Sequence, residues 1–163
     1  MKKIIIAMML VLPLAVSAEK YGHLNTQELF AQMPEVAKVR AQIDTIQSQY
    51  ESQLSLMNEE LQRKYQDYQA NAGTMADGIR QVREQELAEM QQRIQTFYQT
   101  AEQDIQKKQQ ELLAPVHEKM TAAIQTVGTK EGYTYIFDSA AMVYVAPSAL
   151  DVTASVKKEL GIK

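Results

Sequence analysis

The 163-residue sequence contains no cysteine, so neither a disulfide framework nor a thiolate centre holds or serves the fold. Setting aside Lys2 and Lys3, 15 basic residues face 20 acidic ones, a net of −5. That balance excludes a general electrostatic attraction to nucleic acid.

The chain opens on Lys2 and Lys3, an apolar stretch from Ile4 to Leu12, and Val16-Ser17-Ala18. A basic start, a short apolar run and small residues at the end describe a secretory signal peptide over 1–18, cleaved after Ala18. An uncleaved anchor is the competing reading, and the run is too short to span a bilayer. Export places the chain from Glu19 onward outside the cytoplasm, where disulfides form, yet it has none. Stability must come from packing and assembly.

A first base segment occupies 19–34. Tyr21 to Asn25 reads as a short strand. Asn25 is placed to cap a helical turn through Leu29 and Phe30 to Met33, with Glu28 at the third position of a capping box, and Pro34 suits the first turn of the next helix.

From Pro34 to Pro115 there is no other proline, and the only glycines are Gly73 and Gly78, near the middle. Two arms, Glu35 to Ala72 and Ile79 to Ala114, are joined by a turn near 73–78 carrying Gly73, Asp77 and Gly78: a long helical hairpin over 35–114. At 1.5 Å per residue each arm reaches roughly 55 Å. In the first arm Val36, Val39, Ile43, Ile46, Tyr50, Leu54, Met57, Leu61, Tyr65, Tyr68 and Ala72 recur at steps of three and four. From Ile43 the rhythm has an 11-residue period, which predicts a nearly straight or slightly right-handed seam. The second arm offers Met90, Ile94, Phe97, Ala101 and Ile105, then Leu112 and Val116 after a polar interruption at Lys108 and Gln109. One narrow stripe per helix leaves the rest polar, and seventeen glutamines lie between Gln42 and Gln110. A two-helix hairpin has little core of its own, so it needs a base.

The second base segment is 115–163. Pro115 predicts a bend at about Leu112, after which the helix continues through Val116, Met120, Ala123, Ile124 and Val127 to an end at Gly128. Tyr133 to Phe137 reads as a strand and Met142 to Val145 as another, with Pro147 ending the sheet. Asp151-Val152-Thr153 starts a last helix that Gly161 closes. The fold class is therefore α+β: a long antiparallel hairpin projecting from a small β base. A body of about 60 residues is marginal alone. Its exposed strand edges invite oligomerisation through Leu24, Tyr135, Ile136, Phe137, Val143 and Val145.

No catalytic, cofactor or metal site is apparent. His23 and His117 are the only histidines, and no HExxH, phosphate loop or serine elbow occurs. Gly128-Thr129-Lys130 lacks the upstream glycine of a P-loop, and the adjacent His117 and Glu118 diverge on a helix. A small enzyme would need a convergent polar site that is missing. From Gln62 to Gln95 five basic residues (Arg63, Lys64, Arg80, Arg83, Arg93) balance five acidic ones (Asp67, Asp77, Glu84, Glu86, Glu89), the mark of a solvated face. Adaptable side chains on the arms point instead to binding of varied partners, at Met57, Tyr65, Tyr68, Met75 and Met90. Seam packing is the competing role for Tyr65, Tyr68 and Met90. Met75, in the turn, lies outside the seam.

Several strings resemble the Skp/OmpH family of periplasmic chaperones, more closely the versions of Bacteroidetes-like envelopes. They are Gly22-His23-Leu24-Asn25-Thr26-Gln27-Glu28 with Met33-Pro34-Glu35, the run from Glu84-Gln85-Glu86-Leu87 to Leu112-Leu113-Ala114-Pro115, Gly132-Tyr133-Thr134-Tyr135-Ile136-Phe137-Asp138, and Asp151-Val152-Thr153 with Lys157-Lys158-Glu159-Leu160-Gly161-Ile162. The resemblance implies a homotrimer with a shared β base. Its tentacle-like hairpins would hold unfolded outer-membrane or secreted proteins in a cavity, near the membrane and without ATP. The family's best-known members are strongly basic, whereas this chain is acidic from Glu19 on, which counts against capture by charge and against lipopolysaccharide binding. The alternative is a structural coiled-coil envelope protein with one fixed partner.

Overall fold

Two helices dominate because the chain between the flanking prolines offers nothing to break them. In a computed structural model, which describes residues 19–162, α2 runs over Pro34–Asn71 and α3 over Asp77–Glu131. The segment read as a signal peptide lies outside the described residues. Ahead of the hairpin come β1 (Tyr21–Leu24) and α1 (Thr26–Ala31); after it come β2 (Tyr135–Asp138), a single 3₁₀ turn (Ser139–Ala141), β3 (Leu150–Asp151) and α4 (Thr153–Leu160). Asn25 caps α1 as expected, its side-chain oxygen accepting from the amides of Gln27 and Glu28 at 3.1 Å each. Pro34 is in the first turn of α2, where its missing N–H costs nothing.

The sheet has the order β2-β1-β3, with both pairings parallel. Parallel neighbours need a long crossover, and here the crossover from β1 to β2 is the whole hairpin. Tyr21 to Leu24 pair in register with Tyr135 to Asp138, and Gly22 and His23 pair with Leu150 and Asp151. The strand that leads into the first arm thus holds the strands that leave the second, and the two roots are clamped together. Leu24, Leu29, Met33, Val39, Val116, Met120, Ala123, Val127, Val152 and Val156 form the core beneath the clamp. Fully burying side chains such as Leu24, Leu29 and Val156 contributes about 1.5–3 kcal/mol each.

Four local expectations change. Met142 to Val145 form no strand; β3 takes the place beside β1. β3 fills the second edge of β1, and 142–145, in the connection between β2 and β3, pairs with no strand among the described residues. Pro147 consequently does not end the sheet; it lies in a turn, closed by Ala149 N–H to Ala146 O at 2.9 Å, that leads into β3. The second helix also outlasts Gly128, because Gly128 lets the helix approach β2: a Cβ there would lie 3.4 Å from Ile136 Cδ1. Gly132 ends the helix instead, at φ 70°. Finally, α3 begins at Asp77, so Asp77 and Gly78 belong to its first turn; it continues through Pro115 to Glu131. The seam follows the predicted rhythm except past Leu61, where Lys64 is half-buried and Tyr65 is 48 % exposed. The lysine's aliphatic stem covers the seam while its ammonium stays wet.

Two predictions follow from the clamp. A Cβ at Gly22 would lie 2.8 Å from Val152 Cγ1 and 2.9 Å from the Tyr133 ring, so Gly22→Ala should destabilise by about 1–3 kcal/mol, read as a lower urea midpoint at fixed protein concentration. Asp138, at the end of β2, accepts from the Thr26 hydroxyl and amide and from the Ala140 amide, joining β2 to α1. The Thr26 hydroxyl holds this carboxyl below its usual range. A depressed carboxyl stabilises the fold above its unfolded pKa and loses that contribution as pH falls through the folded one. Acid titration of stability should therefore steepen below the ordinary carboxylate range, and Asp138→Asn should flatten it while costing about 1–2 kcal/mol near neutrality.

Candidate functional site

Two surfaces remain unoccupied by the fold: the flanks of the hairpin and the outer face of the sheet. Along the hairpin the arms meet through a single apolar stripe, reinforced by polar rungs. Near the root Lys119 pairs with Glu35, whose carboxyl this hydrogen bond holds below the usual range. Phe30 and His117 stack there at 4.1 Å. Midway, the Tyr50 hydroxyl donates to Asp104 at 2.8 Å, which pushes the phenol pKa up, and the Tyr50 ring meets Phe97 edge-on at 5.7 Å. Towards the tip the Tyr68 hydroxyl donates to Glu84, with the same effect.

Between Tyr50 and the tip, Met57 and Phe97 floor an open groove of about 740 Å³ rimmed by Glu89, Gln92, Arg93, Thr96 and Thr100. The arrangement offers an apolar floor, hydroxyls and amides at the edge, and one charge of each sign. Such a lining can hold apolar side chains without demanding one shape, because methionine repacks easily. The predicted contact positions separate accordingly. Met57 lines this groove, Tyr65 is exposed, Tyr68 is half-buried in its rung, and Met75 is half-buried in the turn. Met90 is only 3 % exposed, because it packs in the seam between the arms.

The sheet alternates. Gly22, Leu24 and Ile136 turn to the core, while Tyr21, Tyr135 and Phe137 turn outward. The parallel register brings Tyr21 and Tyr135 into a stack with centroids 6.0 Å apart, and Phe137 lies 6.2 Å and 5.9 Å from the two rings. Met142, Val143 and Tyr144 are also exposed, and Val143 touches nothing of its own chain. Of the residues expected between subunits, Tyr135, Phe137 and Val143 are thus displayed, and Ile136 and Val145 are half-buried. Leu24 is not displayed: at 1 % exposure it belongs to the core of its own chain, since it sits on the inward face of the central strand.

Tyr21, Tyr144, Ile79 and Val82 complete these surfaces and were not singled out from the sequence. Ile79 and Val82 could have been found, since they prolong the stripe of Met90 at helical spacing. Tyr21 could not, because its ring partners are set by a register spanning more than a hundred residues. Among the described residues no three His, Asp or Glu side chains gather to hold a metal ion, and no helix is long and apolar enough to cross a membrane.

Comparison with known proteins agrees with this architecture. The crystal structure of an OmpH-like protein from Caulobacter crescentus CB15 superposes with a TM-score of 0.78 over 87 % of this chain and 83 % of that one, at 18 % identity, a likeness of fold. The chaperone protein Skp of Pectobacterium atrosepticum is 33 % identical over 98 % of this chain and 99 % of its own length, and that of Yersinia enterocolitica is 31 % identical over the same shares. Neither relative bears on the Bacteroidetes-like leaning. The model of the family described as outer membrane protein (OmpH-like) matches residues 20–160, and the chain belongs to that family.

Proposed function

We propose that the chain is an ATP-independent holdase of the periplasm, which binds unfolded outer-membrane proteins between the helical arms of an oligomer, a homotrimer by resemblance, and keeps them from aggregating. The observation that carries this reading is the hairpin: two helices of 38 and 55 residues, anchored to the base at the root only and joined beyond it by one narrow seam, with apolar side chains half-open along their length. A site of that form makes many weak contacts, and their sum retains a client while each contact exchanges freely. Nothing in the described residues converges to drive a chemical step, and holding requires none. Met57, Tyr65 and Met75 are the accessible members of the contact set. Met90 would join them only if the arms part.

Assembly through the base supports the same reading. The Tyr21, Tyr135 and Phe137 cluster and the exposed run from Met142 to Tyr144 are apolar surfaces of the kind that mark an interface. Several hairpins on one base would enclose a space that a single hairpin cannot.

The holdase reading is tested by diluting a urea-unfolded outer-membrane β-barrel protein into buffer and following light scattering with residues 19–163, with an unrelated coiled-coil protein as control. Suppression at stoichiometric concentration without ATP is the expected result. Scattering equal to the control would overturn it in favour of a spacer with one fixed partner. For assembly, Val143→Lys should lower the mass in sedimentation velocity while leaving the helical circular dichroism intact, because Val143 packs against nothing in its own chain. An unchanged mass would remove 142–145 from the interface.

A further inference from the structure

The tip of the hairpin carries an apolar surface that neither the seam nor the base uses. The buried stripe of α3 ends towards the tip at Leu87, and Val82 and Ile79, one turn apart, are the large apolar residues between it and the start of the helix. The Tyr68–Glu84 bond sets the register of the arms and puts Ala72, just past the end of α2, near the level of Arg80. Alanine is too short to cover these side chains. Ile79 and Val82 are left 56 % and 55 % exposed, and Met75, in the turn before them, is half-buried.

The charges around this patch are committed to one another. Arg80 pairs with Asp77 at 2.7 Å and Arg83 with Glu86 at 2.8 Å, each on its own helix, while Glu84 accepts from Tyr68. Over Gln62 to Gln95 the count is five against five. An anionic lipid surface or a charged polymer would need a basic excess that is absent here. A folded protein seldom displays contiguous apolar side chains, whereas an unfolded one displays them along extended stretches.

We propose that the hairpin tips capture uncharged, apolar-rich stretches of an unfolded polypeptide through Ile79, Val82 and Met75, independently of charge. This rests on the holdase reading and names the kind of segment held. The tip is the part farthest from the base, so it meets an incoming chain first. Apolar contact also persists in salt, whereas attraction between exposed charges is screened over a Debye length of about 10 Å at 0.1 M.

The test titrates residues 19–163 into a fluorescently labelled, urea-unfolded β-barrel protein at low and at high NaCl. The wild type should bind with an apparent Kd that changes less than about threefold, where charge-driven capture would lose orders of magnitude. Ile79→Gln with Val82→Gln should weaken binding about tenfold at both salts, and Arg80→Gln with Arg83→Gln less than about twofold. Should the glutamine pair perturb the helix, Ile79→Ala with Val82→Ala removes the same surface with the best helix former. Steep weakening with salt, or binding indifferent to both apolar pairs, would overturn the inference and leave the holdase reading intact. A mass that rises with concentration in the wild type but not in the apolar variants would assign the patch to contact between copies instead. Absence of wild-type binding at either salt would defeat the holdase reading itself, and the inference with it.

Discussion

Everything else in this molecule depends on β1 lying between two strands that arrive from the far end of the chain. A hairpin of two helices joined by one stripe has no third element to close a core. Unclamped, its roots would be held by little more than the seam beside them. The parallel ladders of Tyr21 to Leu24 with Tyr135 to Asp138, and of Gly22 and His23 with Leu150 and Asp151, remove that freedom. Gly22 is the tightest point, since Val152 and Tyr133 fill the space its side chain would take. The clamp places α4 and the last turns of α3 against α1, and Leu29, Val127 and Val156 then share one core.

From that clamp outward the packing thins in a graded way. At the root the seam is backed by Met33, Val116 and Met120. Midway it rests on Tyr50, Phe97 and the bond to Asp104. Near the tip Leu87 and Met90 are still buried, but the rung is Tyr68 to Glu84 and the outermost stripe lies open. Regions with few buried apolar contacts open at low free energy. A rigid base and a compliant distal seam therefore come from one design: the same stripe is covered on both sides at the root and on one side beyond it. The groove of Met57 and Phe97 and the bare tip lie along this thinner part, where the proposed binding of unrelated unfolded chains would find compliance.

The arms were legible because their signals are local. Proline spacing, the glycines of the turn, the three-and-four rhythm and the Asn25 cap all act within a few residues, and each appears in the structure close to where it was expected. The misplacements involve partners beyond the neighbouring residues, brought close only by the fold. Gly128 reads as a stop until Ile136 is packed beside it, and Met142 to Val145 read as a strand until both edges of β1 are taken. Tyr65 and Lys64 are adjacent candidates for one seam position. The opposite helix decides between them, and the lysine stem fits. For the contact and interface residues, side-chain chemistry could only nominate adaptable types. It could not separate the buried Met90 and Leu24 from the displayed Tyr65 and Tyr135, because that separation is made by the facing helix in one case and the sheet face in the other.

The base of a single chain leaves apolar surface uncovered. Three aromatic rings stack on the outer side of a sheet whose inner side is its only core, and the residues of strongest strand propensity after β2 stand in solvent without a ladder. Both features act against stability in a body of about 60 residues, where too little surface is buried to compensate. One arrangement answers both. A second copy that covers Tyr21, Tyr135 and Phe137 would bury the rings and bring a strand edge to Met142 to Tyr144. The proposed clients need the same arrangement for a different reason, since a cavity requires walls from more than one hairpin. Assembly would thus cover the base and enclose the site in one step, so a chain that fails to assemble would keep its helices and lose the cavity.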